Sequence, residues 1–208
     1  MIENTQCLYV LEMNNGHRFQ SELAKFAMKN GYKKIVETGY GVSTVHFLYW
    51  MKHTLDMEEG MVYSIDKSPW YPNRIHSPQH VLIEGKSIDE ILPLYLKIGA
   101  WDLFIHDGCH NGKDMLYDLE MGYACLRKGG VIACDDYSWN NGGAWDYFVL
   151  KNELNVEKMG DIAYAVKESD EVLRRDTAEY FSNKVLEEAT NRENAWLAQG
   201  NENHPVFN

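Results

Sequence analysis

Four polar residues in two short segments carry the strongest chemistry in this chain. WDLFIHDGCH places Asp107 at the end of an apolar run and His110 three residues later, and VIACDDYSW puts Asp135 and Asp136 side by side at the end of another. If both runs are parallel strands, their carboxyl ends open into one crevice. Three carboxylates converging there would repel one another and raise each other's pKa unless a cation neutralises them, and the nearest bases are Lys113 and Lys128. Oxygen-only donors suit magnesium or a similar hard cation, which can exchange its waters for substrate hydroxyls. Asp107, Asp135 and Asp136 are therefore the candidate metal ligands, and the metal would lower the pKa of a coordinated hydroxyl. His110, whose ring titrates near neutrality, is the candidate base for that hydroxyl proton, and Asp107 takes the role if His110 points away. Cys109 and Cys134 flank these residues, but with His106 and His110 they lack the paired spacing of a zinc site and read as packing residues.

A second constellation lies upstream. ETGYGVST, between an apolar run and a helical stretch, sets Gly39 and Gly41 where the chain must turn sharply and let a ligand touch the backbone. Ser43 opens the helix. Thr44 stands where a dinucleotide fingerprint needs its third glycine, which disfavours pyrophosphate binding. Asp66 ends the next strand, where an acidic group accepts hydrogen bonds from both ribose hydroxyls of an adenosine ligand. Gly85 to Ser87 follow the third strand, beside the expected adenine position, although Ser87 equally suits a helix cap. Trp70, Tyr71, Trp139 and Trp145 are candidates for the mouth of the cleft.

The elements that position these residues are strands alternating with amphipathic helices, the pattern of an α/β protein with a parallel sheet. The spacing predicts a helix over Arg18 to Lys29 and a strand over Lys34 to Glu37. It continues with a helix from Ser43 to about Met57, the strand MVYSID, the strand VLIEG and the helix SIDEILPLYLKIG. Then come the strand WDLFIHD, a helix over Asp114 to Arg127 ended by LRKGG, the strand VIACDD and a helix over Trp145 to Leu154. Pro69, Pro72 and Pro78 make Lys67 to His80 a loop with at most one or two helical turns. NVEKM and IAYAVK, separated by GD, read as an antiparallel hairpin at the sheet edge. Beyond Glu168, Val172, Leu173, Phe181, Val185 and Leu186 suggest a charged amphipathic helix before the polar tail NENHPVFN. The expected division is residues 1–168 as one domain and 169–208 as helix and tail, the helix packing on its own domain or on a second copy.

Size and charge narrow the function. At 208 residues the chain corresponds to about one domain. With 20 basic and 31 acidic residues its net charge is −11, which repels nucleic acid and anionic membranes. The opening MIENTQ lacks the features of a secretory signal, no apolar run is long enough to span a bilayer, and Cys7, Cys109, Cys125 and Cys134 show no CxxC pair, so a cytoplasmic location with reduced thiols is expected.

Taken in order, ETGYGVS, YSID, EGKS, FIHDGCH and LRKGGVIACDD resemble the class I S-adenosylmethionine-dependent methyltransferases over roughly Tyr32 to Lys167. Within that superfamily the chain is similar to metal-dependent small-molecule O-methyltransferases of the catechol, macrolide-sugar and rhamnosyl types, some labelled cephalosporin hydroxylases. The resemblance implies a Rossmann-like, seven-stranded, mostly parallel sheet with an antiparallel edge hairpin and helices on both faces. It implies that Glu37, Gly39, Gly41 and Ser43 hold the methionine portion of S-adenosylmethionine and that Asp66 holds the ribose; Ser87, by its position after the third strand, and Asp107 are the further candidates for the cofactor site. It also implies magnesium on Asp107, Asp135 and Asp136, with His110 matching a histidine of the sugar enzymes. The implied partner is a small-molecule hydroxyl acceptor, a sugar or phenol, not nucleic acid or membrane. The alternatives are a non-catalytic adenosine-ligand binding module and an NAD-dependent oxidoreductase. The proline-rich link at Lys67 to His80 departs from the family, which has a helix there.

Overall fold

A computed structural model describes residues 18–69, 75–109, 112–137 and 143–199. The chain runs α1 (Arg18–Lys29), β1 (Lys34–Thr38), α2 (Val42–Lys52), β2 (Met61–Asp66), β3 (His80–Glu84), α3 (Ser87–Ile98) and β4 (Trp101–His106). It continues with α4 (Gly112–Cys125), β5 (Leu126–Cys134), α5 (Ala144–Lys151), β6 (Val156–Met159), β7 (Ile162–Val166) and α6 (Ala178–Leu197). The sheet order is β3-β2-β1-β4-β5-β7-β6. The first five strands pair in parallel, and β7 lies antiparallel between β5 and β6. This is the expected α/β, Rossmann-like arrangement with an edge hairpin. Its strand order reverses between β1 and β4, so the crevice opens at their carboxyl ends.

The period-two alternation of the strands builds a core on each face. Leu103 and Ile105 of β4, Val131 and Ala133 of β5, and Ile162 and Tyr164 of β7 pack with α1 and α2 through Leu23, Ala27, Phe47 and Met51. Phe104, Ile132, Cys134, Ala163 and Ala165 face the other way, onto α3, α4, α5 and α6. Every strand shared by the two cores is thus buried on both sides, which explains its unbroken apolar runs.

Several boundaries differ from expectation. The α2 helix stops at Lys52 rather than near Met57, because the Thr54 hydroxyl donates to the Trp50 carbonyl and Asp56 adopts a left-handed φ of 63°. Met57 is nonetheless buried in the core. LRKGG is not a helix terminator but the start of β5, since Leu126 already pairs with Trp101. Ser87 is the first residue of α3, with Lys86 at the cap and no side-chain capping bond. Pro93 lies inside α3 on its exposed side, where the carbonyl it leaves unpaired can meet water.

The last helix begins at Ala178, not near Val172. Leu173 is drawn instead into the body of the domain: its N–H donates to the Ala124 carbonyl at 3.2 Å, and its carbonyl accepts from the Tyr95 hydroxyl. From there α6 packs on its own domain, burying Val185 and Ala189. The Tyr117 and Ser182 hydroxyls meet at 2.8 Å, and Lys151 bridges Glu188 at 2.8 Å and Glu120 at 3.0 Å. No described helix is long and apolar enough to cross a membrane.

Lys167, just past β7, is 2% exposed, and its ammonium donates to the carbonyls of Tyr123 (3.0 Å), Ala124 (3.3 Å) and Leu126 (3.0 Å). It satisfies two orphan carbonyls in the last turn of α4 and that of Leu126 at the start of β5. Lys167→Met should cost about 2–4 kcal/mol in urea denaturation, because the Tyr123 and Leu126 carbonyls lose the ammonium, while Ala124 keeps only the Leu173 N–H. A loss below about 0.5 kcal/mol would show that these carbonyls are hydrated instead.

Candidate active site

Glu37 sits fully buried in β1 and organises the turn that follows it. Its carboxylate accepts from the hydroxyls of Ser43 (2.8 Å), Thr44 and Ser64 (2.5 Å), tying β1 to the start of α2 and to β2. Burial pushes its pKa up to about 7, the Asp66 charge adds to the rise, and the three hydroxyls oppose it. Glu37 lies behind the cleft rather than on its wall.

Between Glu37 and α2 the chain makes its sharp bend. Gly39 has a φ of 94°, and a Cβ there would fall 2.1 Å from the Asp107 carbonyl oxygen. Only glycine lets this turn cross so close to the end of β4. Gly41 is extended, and a Cβ added to it meets no atom of the described residues within 4 Å, so it borders open space in the cleft. Asp66, at the end of β2, accepts from the Tyr40 N–H at 3.1 Å and the Ser68 N–H at 2.7 Å, one on each oxygen. Each oxygen keeps lone pairs for further donors.

Asp107 follows β4 directly, its N–H bonded to the Thr38 carbonyl at 2.9 Å. Burial raises its pKa well above the usual carboxylate range; Asp135, Glu37 and Asp136 push the same way, and a hydrogen bond from Ser43 opposes them. Asp135 is buried, with Oδ2 accepting from Gln20 Nε2 at 2.6 Å and Oδ1 from the Asp136 N–H at 3.1 Å. Asp136 adopts a left-handed φ of 49°, a conformation that aspartate tolerates better than most residues.

These residues share one cleft of about 840 Å³, whose wall includes Gly39, Gly41, Ser43, Asp66, Ser87, Asp107, Asp135 and Asp136. His110, Trp70, Tyr71, Trp139 and Cys7 lie outside the described residues. Trp145 does not reach the mouth; it is buried in the core, 5.8 Å from the Phe148 ring. His106 is buried on the α4 side of β4, with Nδ1 3.2 Å from Thr38 Oγ1 and 3.1 Å from Asp118 Oδ2. Cys134 is in the core and Cys109 is exposed; neither is in a disulfide. Lys128 pairs with Asp170 at 2.9 Å and is not in the cleft wall, whereas Lys113 is, 3.9 Å from Glu193.

Phe19, Gln20, Asp118 and Asp161 also line the cleft, and none was singled out from the sequence. Their signal was topological. A helix that runs back along the sheet before β1 brings its first turn to the strand ends, which is where Phe19 and Gln20 lie. Antiparallel pairing of Cys134 with Ala163 likewise sets the hairpin turn, with Asp161, beside Asp135.

The donor chemistry of Asp107, Asp135 and Asp136 fits a hard cation: all are oxygen donors in the cleft wall, and the charge they place on one another is what a cation would relieve. Among the described residues, no group of three or more His, Cys, Asp or Glu side chains is arranged to hold a metal ion as the side chains stand. Gln20 occupies one oxygen of Asp135 in that arrangement.

A sequence-family model described as a methyltransferase domain matches residues 36–137. No curated protein matches the chain. Among solved structures, an O-methyltransferase from Bacillus cereus in complex with S-adenosylhomocysteine (SAH) is 15% identical, with a TM-score of 0.59 over 79% of this chain and 92% of that one. The O-methyltransferase TomG from Streptomyces achromogenes, involved in tomaymycin synthesis and solved with S-adenosylmethionine, is 14% identical, with a TM-score of 0.56 over 72% and 79%. MycE of the mycinamycin biosynthetic pathway, in complex with magnesium, SAH and mycinamycin VI, is 14% identical, with a TM-score of 0.53 over 76% of this chain. The present chain spans 51% of MycE's length.

The two glycines separate two roles. Gly39→Ala should destabilise the fold by about 2–4 kcal/mol and abolish SAH binding, whereas Gly41→Ala should leave urea stability unchanged and weaken SAH binding about tenfold or more in calorimetry. Equal stability of the two variants would refute the close approach at Gly39. Glu37 predicts a pH effect. Its pKa is raised from 4.5 to about 7, so between those values the native state keeps a proton that the unfolded chain has lost. The stability contributed by this group therefore falls as pH rises through that window and levels off above it. Glu37→Gln should remove that slope, measured by urea denaturation across the window.

Residues 36–137 of the chain thus match a methyltransferase-domain family model, and the chain shares the fold of the solved O-methyltransferases to which it is similar.

Proposed function

We propose that this chain is an S-adenosylmethionine-dependent O-methyltransferase acting on a hydroxyl of a small molecule, a sugar or phenol. The observation that carries this reading is the continuity of one cleft from the glycine turn and Asp66 to Asp107, Asp135 and Asp136. Nucleoside-binding groups and hydroxyl-handling groups open on the same space.

When bound, the cofactor supplies an electrophilic methyl group: its S–C bond breaks as the bond to the acceptor oxygen forms, and the hydroxyl proton leaves to a base. Asp66 holds the ribose through the lone pairs that Tyr40 and Ser68 leave open. Gly39 and Gly41 admit the methionine portion against bare backbone, and Ser43, fixed by Glu37, bounds that end. Ser87 closes the adenine end. His110 or Asp107 takes the proton. Asp107, Asp135 and Asp136 would hold a divalent cation, which lowers the pKa of a coordinated hydroxyl. Holding donor and acceptor in line supplies most of the rate. The magnesium and mycinamycin VI bound by MycE support a metal and a small-molecule acceptor here.

Asp66→Ala should weaken SAH binding about tenfold or more, since a doubly hydrogen-bonded carboxylate is lost. Asp136→Asn should abolish magnesium-dependent methyl transfer from labelled cofactor to a panel of sugars and phenols, with SAH affinity within about twofold of wild type. Loss of SAH binding in Asp136→Asn, with transfer otherwise unimpaired by metal removal, would overturn the metal role. His110→Ala should slow transfer, and an unchanged rate across pH would leave Asp107 as the base.

A further inference from the structure

The glycine bend has a single handle. Between Gly39 and Gly41 only Tyr40 carries a side chain, and a glycine on either side leaves the backbone free to sample conformations that other residues avoid. Whatever fixes the Tyr40 side chain therefore fixes the bend, and with it the N–H that Tyr40 donates to Asp66 Oδ2 at 3.1 Å.

Tyr40 is buried and held twice. Its hydroxyl accepts from the Ile75 N–H at 2.6 Å, and its ring stacks on His80, with centroids 5.6 Å apart and planes inclined by 11°. His80 is fixed in turn. Its Nε2 lies 3.0 Å from the Ser64 hydroxyl, which donates to Glu37, and its Nδ1 lies 3.4 Å from the Ile75 carbonyl. Burial pushes the His80 pKa down, so the ring stays uncharged and stacks without a charge to hydrate. Ile75 and His80 close the link from β2 to β3. Parallel strands are usually joined by a crossover helix, but the described residues between Asp66 and His80 form none. The Tyr40–His80 stack ties the link to the bend instead.

We propose that Tyr40 and His80 are positioning residues for the cofactor: their stack, closed by Ser64 and Ile75, holds the glycine bend and the Asp66 carboxylate in the geometry that receives the ribose. The inference rests on the S-adenosylmethionine reading and adds to it a brace behind the nucleoside end. Tyr40 is in the cleft wall and His80 is not, so His80 acts through Tyr40. A bend braced in this way is ordered before the ligand arrives, and binding does not have to order it.

Calorimetry with SAH on the full chain tests this. His80 is partly exposed on the edge strand β3, so His80→Leu removes the stack without emptying the core. It should weaken SAH binding about tenfold, and His80→Phe, which gives Tyr40 a ring to stack on again, should recover at least about threefold of that loss. In an Asp66→Ala background the cost of His80→Leu should shrink to about threefold or less, because two residues that act through one another are not additive; a merely structural role would give the same factor in both backgrounds. Amide exchange of the ligand-free chain gives a second measurement, which decides where Asp66→Ala binds SAH too weakly to titrate. Residues 39–43 should exchange about tenfold faster in His80→Leu, with β4 and β5 exchanging as in the wild type. The proposal is overturned if His80→Leu binds SAH within about twofold of wild type, if its cost is the same in both backgrounds, if His80→Phe binds no better than His80→Leu, or if the bend exchanges no faster. Failure of the wild-type chain to bind SAH removes the cofactor reading and this one with it, whereas wild-type binding with an unaffected His80→Leu removes only this one.

Discussion

The site depends on one buried carboxylate. Glu37 gathers three hydroxyls, two from the first turn of α2 and one from β2, and so welds the glycine turn to the two strands beneath it. A carboxylate can be kept in that apolar setting only because its acceptors are occupied, and even so burial holds its pKa near 7. The reward is rigidity at a place where the chain must be thin. Gly39 presses against the Asp107 carbonyl, and the backbone opposite Gly41 is bare. A ligand seated there meets fixed N–H groups instead of a loop that must be ordered on binding.

The same economy governs the acidic end. Asp135 is held by Gln20 from α1 and by the Asp136 N–H, while Asp107 is placed by the Thr38 carbonyl. Helix, strand ends and hairpin turn all converge on one side of the sheet because the strand order reverses between β1 and β4. Charge is concentrated there at a cost, visible in the raised pKa of Asp107. Proteins retain such strain at sites that bind or react. At the opposite ends of the strands Asp102 accepts from the N–H groups of Lys33 and Lys34 and from Arg127, a network of structural use.

The C-terminal segment belongs to the same body. Its helix shares a core with α4 and α5, and Lys151, Glu188 and Glu120 link the three. The similar solved structures agree on the fold across a sequence identity of 14–15%, which is how a scaffold persists while the residues that select a substrate change.

Much of this was legible in the sequence for a simple reason. Strand runs, the glycine bend and the acid at each strand end are local signals, and a parallel sheet then forces Asp66, Asp107 and Asp136 to one edge. The edge hairpin announced itself through the GD between two short strands. Helix ends were legible only approximately, because α2 stops at side-chain bonds and a turn at Asp56, and β5 starts early through its pairing with β4. What only the tertiary structure decided were contacts between residues far apart in the chain. Gln20 meets Asp135 across 115 positions, Asp161 joins the cleft through antiparallel pairing, and Trp145 turns inward to the core. Sequence periodicity says which face of an element is apolar; it does not say which distant polar group will lie opposite, since that follows from how whole elements pack.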